Sequence, residues 1–184
     1  MRKLITFNFV TMNGYYKGPG GDISWNKHSR EESEFAAQGA QSDSILLFGR
    51  VTYQMMAAYW PSPAAMQNTP LVADGMNKSE KIVFSRTLDK AEWNNTRLIK
   101  ENIFEEIRKM KASPGKDMCF LGSGSVISQF AEQGLIDEYQ VMVNPVVIAG
   151  GTPLFKEIRS QLDLRLKDTR TFKNGNVLLT YQPQ

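Results

Sequence analysis

The residues of this chain best suited to chemistry are small or cationic and stand where apolar runs stop. Phe120-Leu121 leads into Gly122-Ser123-Gly124-Ser125-Val126, and Phe48 leads into Gly49-Arg50-Val51-Thr52. Both read as a strand passing through glycine straight into a helix. Glycine lets the backbone turn sharply and approach a ligand closely. The first N–H groups of a helix, with its dipole behind them, favour an anion such as a phosphate. The Thr52 hydroxyl and the Arg50 guanidinium can address the same oxygens. Arg86, beside Ser85, follows a third apolar run, Ile82-Val83-Phe84. An NAD site wants a carboxylate on the ribose hydroxyls, whereas a 2′-phosphate wants Arg and Ser. The charge pattern therefore points to NADPH. The Gly-rich turn is not a Rossmann fingerprint, because Ile127 stands where the third glycine belongs and the turn comes late in the chain. Taken alone, Gly-X-Gly is equally an ordinary strand–helix turn.

Composition removes several other chemistries. Cys119 is the only cysteine and His28 the only histidine. No intrachain disulfide, Cys-based zinc site or His-rich metal site can be built, and no metal is expected. Cys119 lies in an apolar run and reads as a small hydrophobe; His28 lies among polar residues and reads as a surface group. The net charge of +3 is spread without a basic block or an RNA-type aromatic motif. Nucleic acid is not an expected partner, and the mild positive charge suits a phosphorylated small molecule. The N-terminus opens Met1-Arg2-Lys3, but Thr6, Asn8 and Thr11 interrupt the apolar run that follows. It reads as a first strand rather than a signal peptide. No run reaches the ~20 apolar residues of a membrane helix. The expectation is a cytoplasmic protein whose residues 1–184 form one domain.

Strands and helices alternate along the chain. Leu4 to Val10 reads as strand, followed by a Gly-rich loop from Asn13 to Trp25 and a helix from about Ser29 to Gln41. Ser44 to Phe48 reads as a strand buried on both faces, then Arg50 to Tyr59 as helix, halted by Pro61 and Pro63. Lys81 to Phe84 and Thr96 to Ile99 read as strands. Asn102 to Glu105 reads as an Asn capping box opening a helix with Ile103, Ile107 and Met110 on one face. Glu105 is placed to pair with Lys109. Met118 to Leu121 reads as strand and Ser125 to Gln133 as helix, with Gly134 as its stop. Glu138 to Val147 reads as strand, with Pro145 near its end. Leu162 to Phe172 and Val177 to Tyr181 read as a hairpin around Asn174-Gly175; in its first strand Leu162, Leu164 and Leu166 alternate with polar residues, as in a half-buried strand. The expected fold is α/β, with a mixed, mostly parallel central sheet flanked by helices and a C-terminal antiparallel hairpin.

Five segments, taken in order, resemble the dihydrofolate reductase-like superfamily. They are Leu4 to Gly14, Gly49-Arg50-Val51-Thr52-Tyr53, Ile82 to Arg86, Leu121 to Ser125, and Pro145 to Phe155. Within it the chain is most similar to the reductase domain of the bacterial bifunctional riboflavin-biosynthesis deaminase-reductase, in stand-alone form. The resemblance implies an NADPH-dependent reductase acting on a small molecule, of the 5-amino-6-(5-phosphoribosylamino)uracil reductase type, and a homodimer. It matches Gly49, Arg50 and Thr52 to phosphate contacts at a helix start. It matches Ser85 and Arg86 to the 2′-phosphate strand end, and Gly122, Ser123, Gly124, Ser125 and Val126 to the diphosphate loop, which passes close to nicotinamide and substrate. On the substrate side it points to Asn13, Trp25 and Glu31. Two departures stand out: Asn13 replaces a usual Asp, and Phe120-Leu121 replaces a usual Glu before the Gly-rich loop. Glu31 and Glu34 both stand near the place of the folate enzymes' helix carboxylate. No catalytic acid emerges. A dihydrofolate reductase proper and an NADP-binding module that has lost turnover are the alternatives.

Overall fold

The run Ile45–Gly49 is buried along its whole length, as a strand covered on both faces must be. A computed structural model describes residues 1–40 and 43–184. Its strands are β1 (Leu4–Thr11), β2 (Tyr15–Lys17), β3 (Ile45–Gly49), β4 (Lys81–Phe84), β5 (Thr96–Ile99), β6 (Met118–Leu121), β7 (Glu138–Asn144), β8 (Thr152–Pro153), β9 (Leu164–Thr171) and β10 (Val177–Pro183). Its helices are α1 (Arg30–Ala40), α2 (Arg50–Tyr59), α3 (Pro63–Asn68), α4 (Pro70–Lys78), α5 (Ile103–Ala112) and α6 (Gly124–Glu132). Eight strands make one sheet in the order β5-β4-β3-β6-β1-β7-β10-β9. From β5 to β7 every pairing is parallel; β10 and β9 add antiparallel. β2 and β8 form a separate antiparallel pair.

Alternation along β3 sorts side chains into two cores. Ile45 and Leu47 pack with Ile107 of α5 and Ile127 and Phe130 of α6, while Leu46 and Phe48 pack with Ala37 of α1, Tyr53 of α2, and Val72 and Met76 of α4. Helices thus cover both faces, as expected. α6 ends in a Schellman arrangement, with the Gly134 N–H on the Ala131 carbonyl at 2.9 Å and the Leu135 N–H on the Phe130 carbonyl at 3.1 Å. The Asn174-Gly175 turn closes the β9–β10 hairpin. No helix among the described residues is long and apolar enough to cross a membrane.

Several local expectations need correction. Pro63 does not only help to halt α2; it opens α3, and Pro70 opens α4, each at the first position, where a missing N–H costs nothing. Asn102 adopts the left-handed conformation and makes no side-chain cap. Glu105 pairs with Arg108 at 2.5 Å, and Lys109 with Glu106 at 3.5 Å. β9 is not half-buried: Leu166 is 50% exposed and the strand is open on both faces. The Gly-rich loop contains β2. Gln41 lies outside the described residues.

Two buried ions brace the frame. Lys81, 1% exposed, donates to the carbonyls of Met76, Asn77 and Ser79 at 2.9, 3.2 and 2.6 Å, closing the end of α4. Its ammonium sits 4.5 Å from the centre of the Trp93 ring, and desolvation pulls its pKa down to about 8. The real capping box is Ser29 with Glu32: the Ser29 N–H reaches Glu32 Oε2 at 2.8 Å, and the Glu32 N–H reaches Ser29 Oγ at 3.4 Å. Glu32, 2% exposed, also accepts from Asn174 Nδ2 at 2.5 Å and from Asn176 Nδ2. One carboxylate thereby ties α1 to the terminal hairpin. Glu32→Ala, which leaves buried Asn176, half-buried Ser29 and exposed Asn174 without their acceptor, is expected to lower stability by about 2–4 kcal/mol in urea unfolding. Glu31→Gln, on the more exposed neighbour, is expected to cost under about 1 kcal/mol.

Candidate functional site

Parallel pairing brings the carboxyl ends of β4, β3, β6, β1 and β7 to one edge, in that spatial order. Ligands of open α/β sheets bind beyond this edge. The segments that follow the strands therefore stand side by side: Ser85-Arg86, Gly49 to Thr52, Gly122 to Val126, Thr11 to Gly14, and the stretch after Asn144. α2 and α6 both start here, with Gly49 and Ser123 at their N-caps, and no side chain caps either one.

A single hydroxyl joins the two starts. Ser123 Oγ accepts the Gly49 N–H at 2.8 Å and donates to Thr52 Oγ1 at 2.9 Å. Ser123 is buried and held at φ 69°, a conformation costly for a residue with a side chain. The loops that the sequence presents separately are thus one unit, with Gly49, Thr52, Gly122, Ser123 and Val126 in mutual contact. A Cβ on Gly49 would lie 2.9 Å from both Ser123 Oγ and Val126 Cγ2, and one on Gly122 would lie 3.2 Å from Thr52 Cγ2. On Gly124 it would meet the Tyr16 ring at 2.9 Å and the Leu154 carbonyl at 3.0 Å. The protein's own packing already demands these glycines. The Gly49 N–H is taken by Ser123, so α2 offers an anion the N–H groups of Arg50 and Val51, both exposed residues.

The remaining expected cofactor residues flank this unit. Arg50 is exposed and donates to Gln54 Oε1 at 3.1 Å. Ser85 Oγ accepts the N–H groups of Thr87 and Leu88 at 3.2 and 2.9 Å, fixing the turn from which exposed Arg86 projects. Ser125 is exposed on the first turn of α6.

The expected substrate residues are spread out. Asn13 Oδ1 accepts from Thr11 Oγ1 at 2.8 Å, and its Nδ2 donates to the Ile148 carbonyl at 2.9 Å. It laces the end of β1 to the segment after β7. Trp25 is half-buried, and its Nε1 is buried without an acceptor among the described residues. Glu31 turns to the terminal hairpin, accepting the Lys173 N–H at 3.1 Å, with Arg170 Nη2 at 4.0 Å. The sequence reading missed Tyr16 and Leu154, which the β2·β8 pair lays against the start of α6. Two-residue pairing leaves almost no periodic signal.

Other reactive groups are inert or isolated. Desolvation, then the nearby Glu138 charge, push the Cys119 thiol up to about 12. His28 is exposed, with its ring edge-on to Phe9 at 4.9 Å. Among the described residues no group of three or more His, Cys, Asp or Glu could hold a metal.

Known proteins share this architecture. The profile of the RibD C-terminal domain matches residues 2–178. The uncharacterized protein YyaP of Bacillus subtilis (strain 168) is 32% identical over 180 residues, 98% of this chain and 94% of YyaP. A Shewanella sp. PV-4 protein provisionally named for riboflavin biosynthesis superposes with a TM-score of 0.76 at 22% identity, over 99% of both chains. The diaminohydroxyphosphoribosylaminopyrimidine deaminase/5-amino-6-(5-phosphoribosylamino)uracil reductase of Thermotoga maritima gives 0.68 at 12% identity, over all of this chain and 57% of that one. Dihydrofolate reductase of Enterococcus faecalis, complexed with NADP(H), gives 0.66 at 16% identity, over 99% and 96%. The fold is dihydrofolate reductase-like.

The Ser123 bridge can be dissected by two substitutions. Ser123→Ala removes both hydrogen bonds and keeps the backbone strain; a loss of about 2–3 kcal/mol is expected in thermal or urea unfolding. Ser123→Gly removes the same bonds but relaxes the positive φ, and is expected to lose about 1 kcal/mol less.

Proposed function

The chain belongs to the RibD C-terminal domain family, and from that premise we propose that it is an NADPH-dependent reductase of a pyrimidine- or pterin-like ring. The observation that carries this reading is the bridged pair of uncapped helix starts, with Arg50 on one and Arg86 one strand away. Backbone N–H groups of α2 and α6 and the Arg50 guanidinium hold the diphosphate. Ser85 and Arg86 receive the 2′-phosphate. When bound, NADPH would supply a hydride to a C=N or C=O carbon of the substrate, with the accompanying proton drawn from water. Alignment of the two rings by a rigid edge contributes up to roughly 7–11 kcal/mol to such a step. The uracil reductase activity in the name of the Thermotoga maritima protein supports the pyrimidine class.

A cofactor-binding module without turnover is the second reading. It is favoured by Asn13, which stands in place of the family Asp and has its amide tied to Ile148. The folate reading has less support. Of the three α1 carboxylates, Glu31 accepts from Lys173, Glu32 from Asn174 and Asn176, and Glu34 from Arg30.

A second copy of this chain is the expected partner. Val141 pairs with Leu179 and Val143 with Val177 on one face of β7 and β10, and all four are only half-buried. That apolar face at the hairpin end is where a homodimer would form. Light scattering is expected to give twice the chain mass, and Val143→Glu to return the single-chain mass.

Titration of purified protein by nicotinamide fluorescence tests the cofactor. NADPH is expected to bind in the micromolar range, ahead of NADH. Arg86→Ala is expected to weaken NADPH about tenfold or more and leave NADH unchanged. Arg50→Ala is expected to weaken both alike, because it meets the diphosphate. Failure of the wild-type protein to bind either nucleotide would remove the reductase reading.

A further inference from the structure

The carboxyl edge is electrically lopsided. Its β4 and β3 ends bear the exposed cations Arg86 and Arg50. Its β1 and β7 ends bear none: residues 11–16 and 144–155 contain no Asp, Glu, Lys, Arg or His. Charged residues make up 22% of the chain, so two uncharged stretches meeting at one edge set it apart. They do meet. The Met12 N–H donates to the Val146 carbonyl at 2.9 Å and the Leu154 N–H to the Gly14 carbonyl at 3.1 Å, with the Asn13–Ile148 contact between them.

This lip is apolar where it faces water. Met12 is 68% exposed and Val147 is 62% exposed, although neither is needed to cover a core. On the face of β1 toward α1, half-buried Phe9 lies edge-on to Phe7 at 5.1 Å and to His28 at 4.9 Å. Ionic groups on the neighbouring loop are largely engaged. Asp22 accepts from Ser24, Lys17 lies over the Tyr16 ring, and Arg30 pairs with Glu34. Among the described residues, Lys27 is that loop's one exposed cation without a partner. A single mobile-headed lysine is a weaker anion site than the guanidinium and helix start at β3.

We infer that the substrate half of the site takes a neutral, unphosphorylated planar ring, held by apolar contact at the Met12–Val147 lip. The inference rests on the reductase reading, in which the cofactor's phosphates claim the cationic β3–β4 side and leave the uncharged side to substrate. A phosphate brought against the lip would lose water and gain no counter-charge. A neutral ring gains from covering Met12 and Val147 and needs few polar contacts to orient it.

Riboflavin and FMN provide a matched pair of probes, since they share ring and side chain and differ by one phosphate. Full-length protein saturated with NADP⁺ is titrated with each, following flavin fluorescence. Riboflavin is expected to bind at least as tightly as FMN. Met12→Lys or Val147→Lys is expected to shift the ratio toward FMN by about tenfold, with NADP⁺ affinity unchanged. FMN binding about tenfold tighter than riboflavin in the wild type, or no flavin binding by protein that holds NADP⁺, would overturn the inference. Absence of NADP⁺ binding would instead overturn the reductase reading beneath it.

Discussion

Everything at the site follows from strands running the same way. Two parallel strands cannot be joined by a tight turn, so the chain must cross back over the sheet between them. When a helix makes that crossing, it leaves from the carboxyl edge and its positive end faces that edge. Here α2 follows β3 and α6 follows β6 on adjacent strands, from opposite cores. Two helix starts are therefore brought together by topology, before any side chain is chosen. Ser123 then sets their spacing. Its hydroxyl uses up one N–H of the α2 start and in return fixes both loops in one geometry, which is what a preorganised anion site requires.

The division of labour along the edge follows the same order. Moving from β4 to β7, cations give way to glycine and small hydroxyls, and these to aliphatic side chains. A nicotinamide nucleotide has the matching gradient, from phosphates at one end to a planar ring at the other. In the proposed reading the substrate would meet the apolar end. α1 closes this region from one face, but Glu31 and Glu32 serve the hairpin and Glu34 pairs with Arg30, so its contribution is architectural.

Legibility in the sequence tracked the length of the repeating signal. The buried run at Ile45–Phe48, the helix-spaced Ile103, Ile107 and Met110, and the Asn174-Gly175 turn each repeat one local rule over several residues, and the structure has them where the pattern puts them. The loops that open α2 and α6 were legible because strand, glycine and helix follow without a spacer. What was hidden depends on partners distant in sequence or on pieces too short to repeat. Tyr16 and Leu154 come together through a two-residue pairing. Glu32 was visible as the third residue after Ser29, yet its burial depends on Asn174 and Asn176. Asn102 shows the opposite error, since a residue of the right type for a cap sits in the left-handed region and caps nothing.

The placement of β1 has a consequence for how the chain is made. β1 lies between β6 and β7, pairing Leu4 with Met118 and Ile5 with Glu138. It leaves the ribosome before both neighbours and finds neither until β6 and β7 have been made. α1 waits longer still, for Asn174 and Asn176 in the turn after β9. Closing loops of this size is an entropic cost met before any contact compensates it. During synthesis the alternating apolar face of β1 is an unpaired strand in search of an edge, the state in which chaperones and aggregation compete for a chain. The earliest strand of the sheet is thus its keystone, set nearly last.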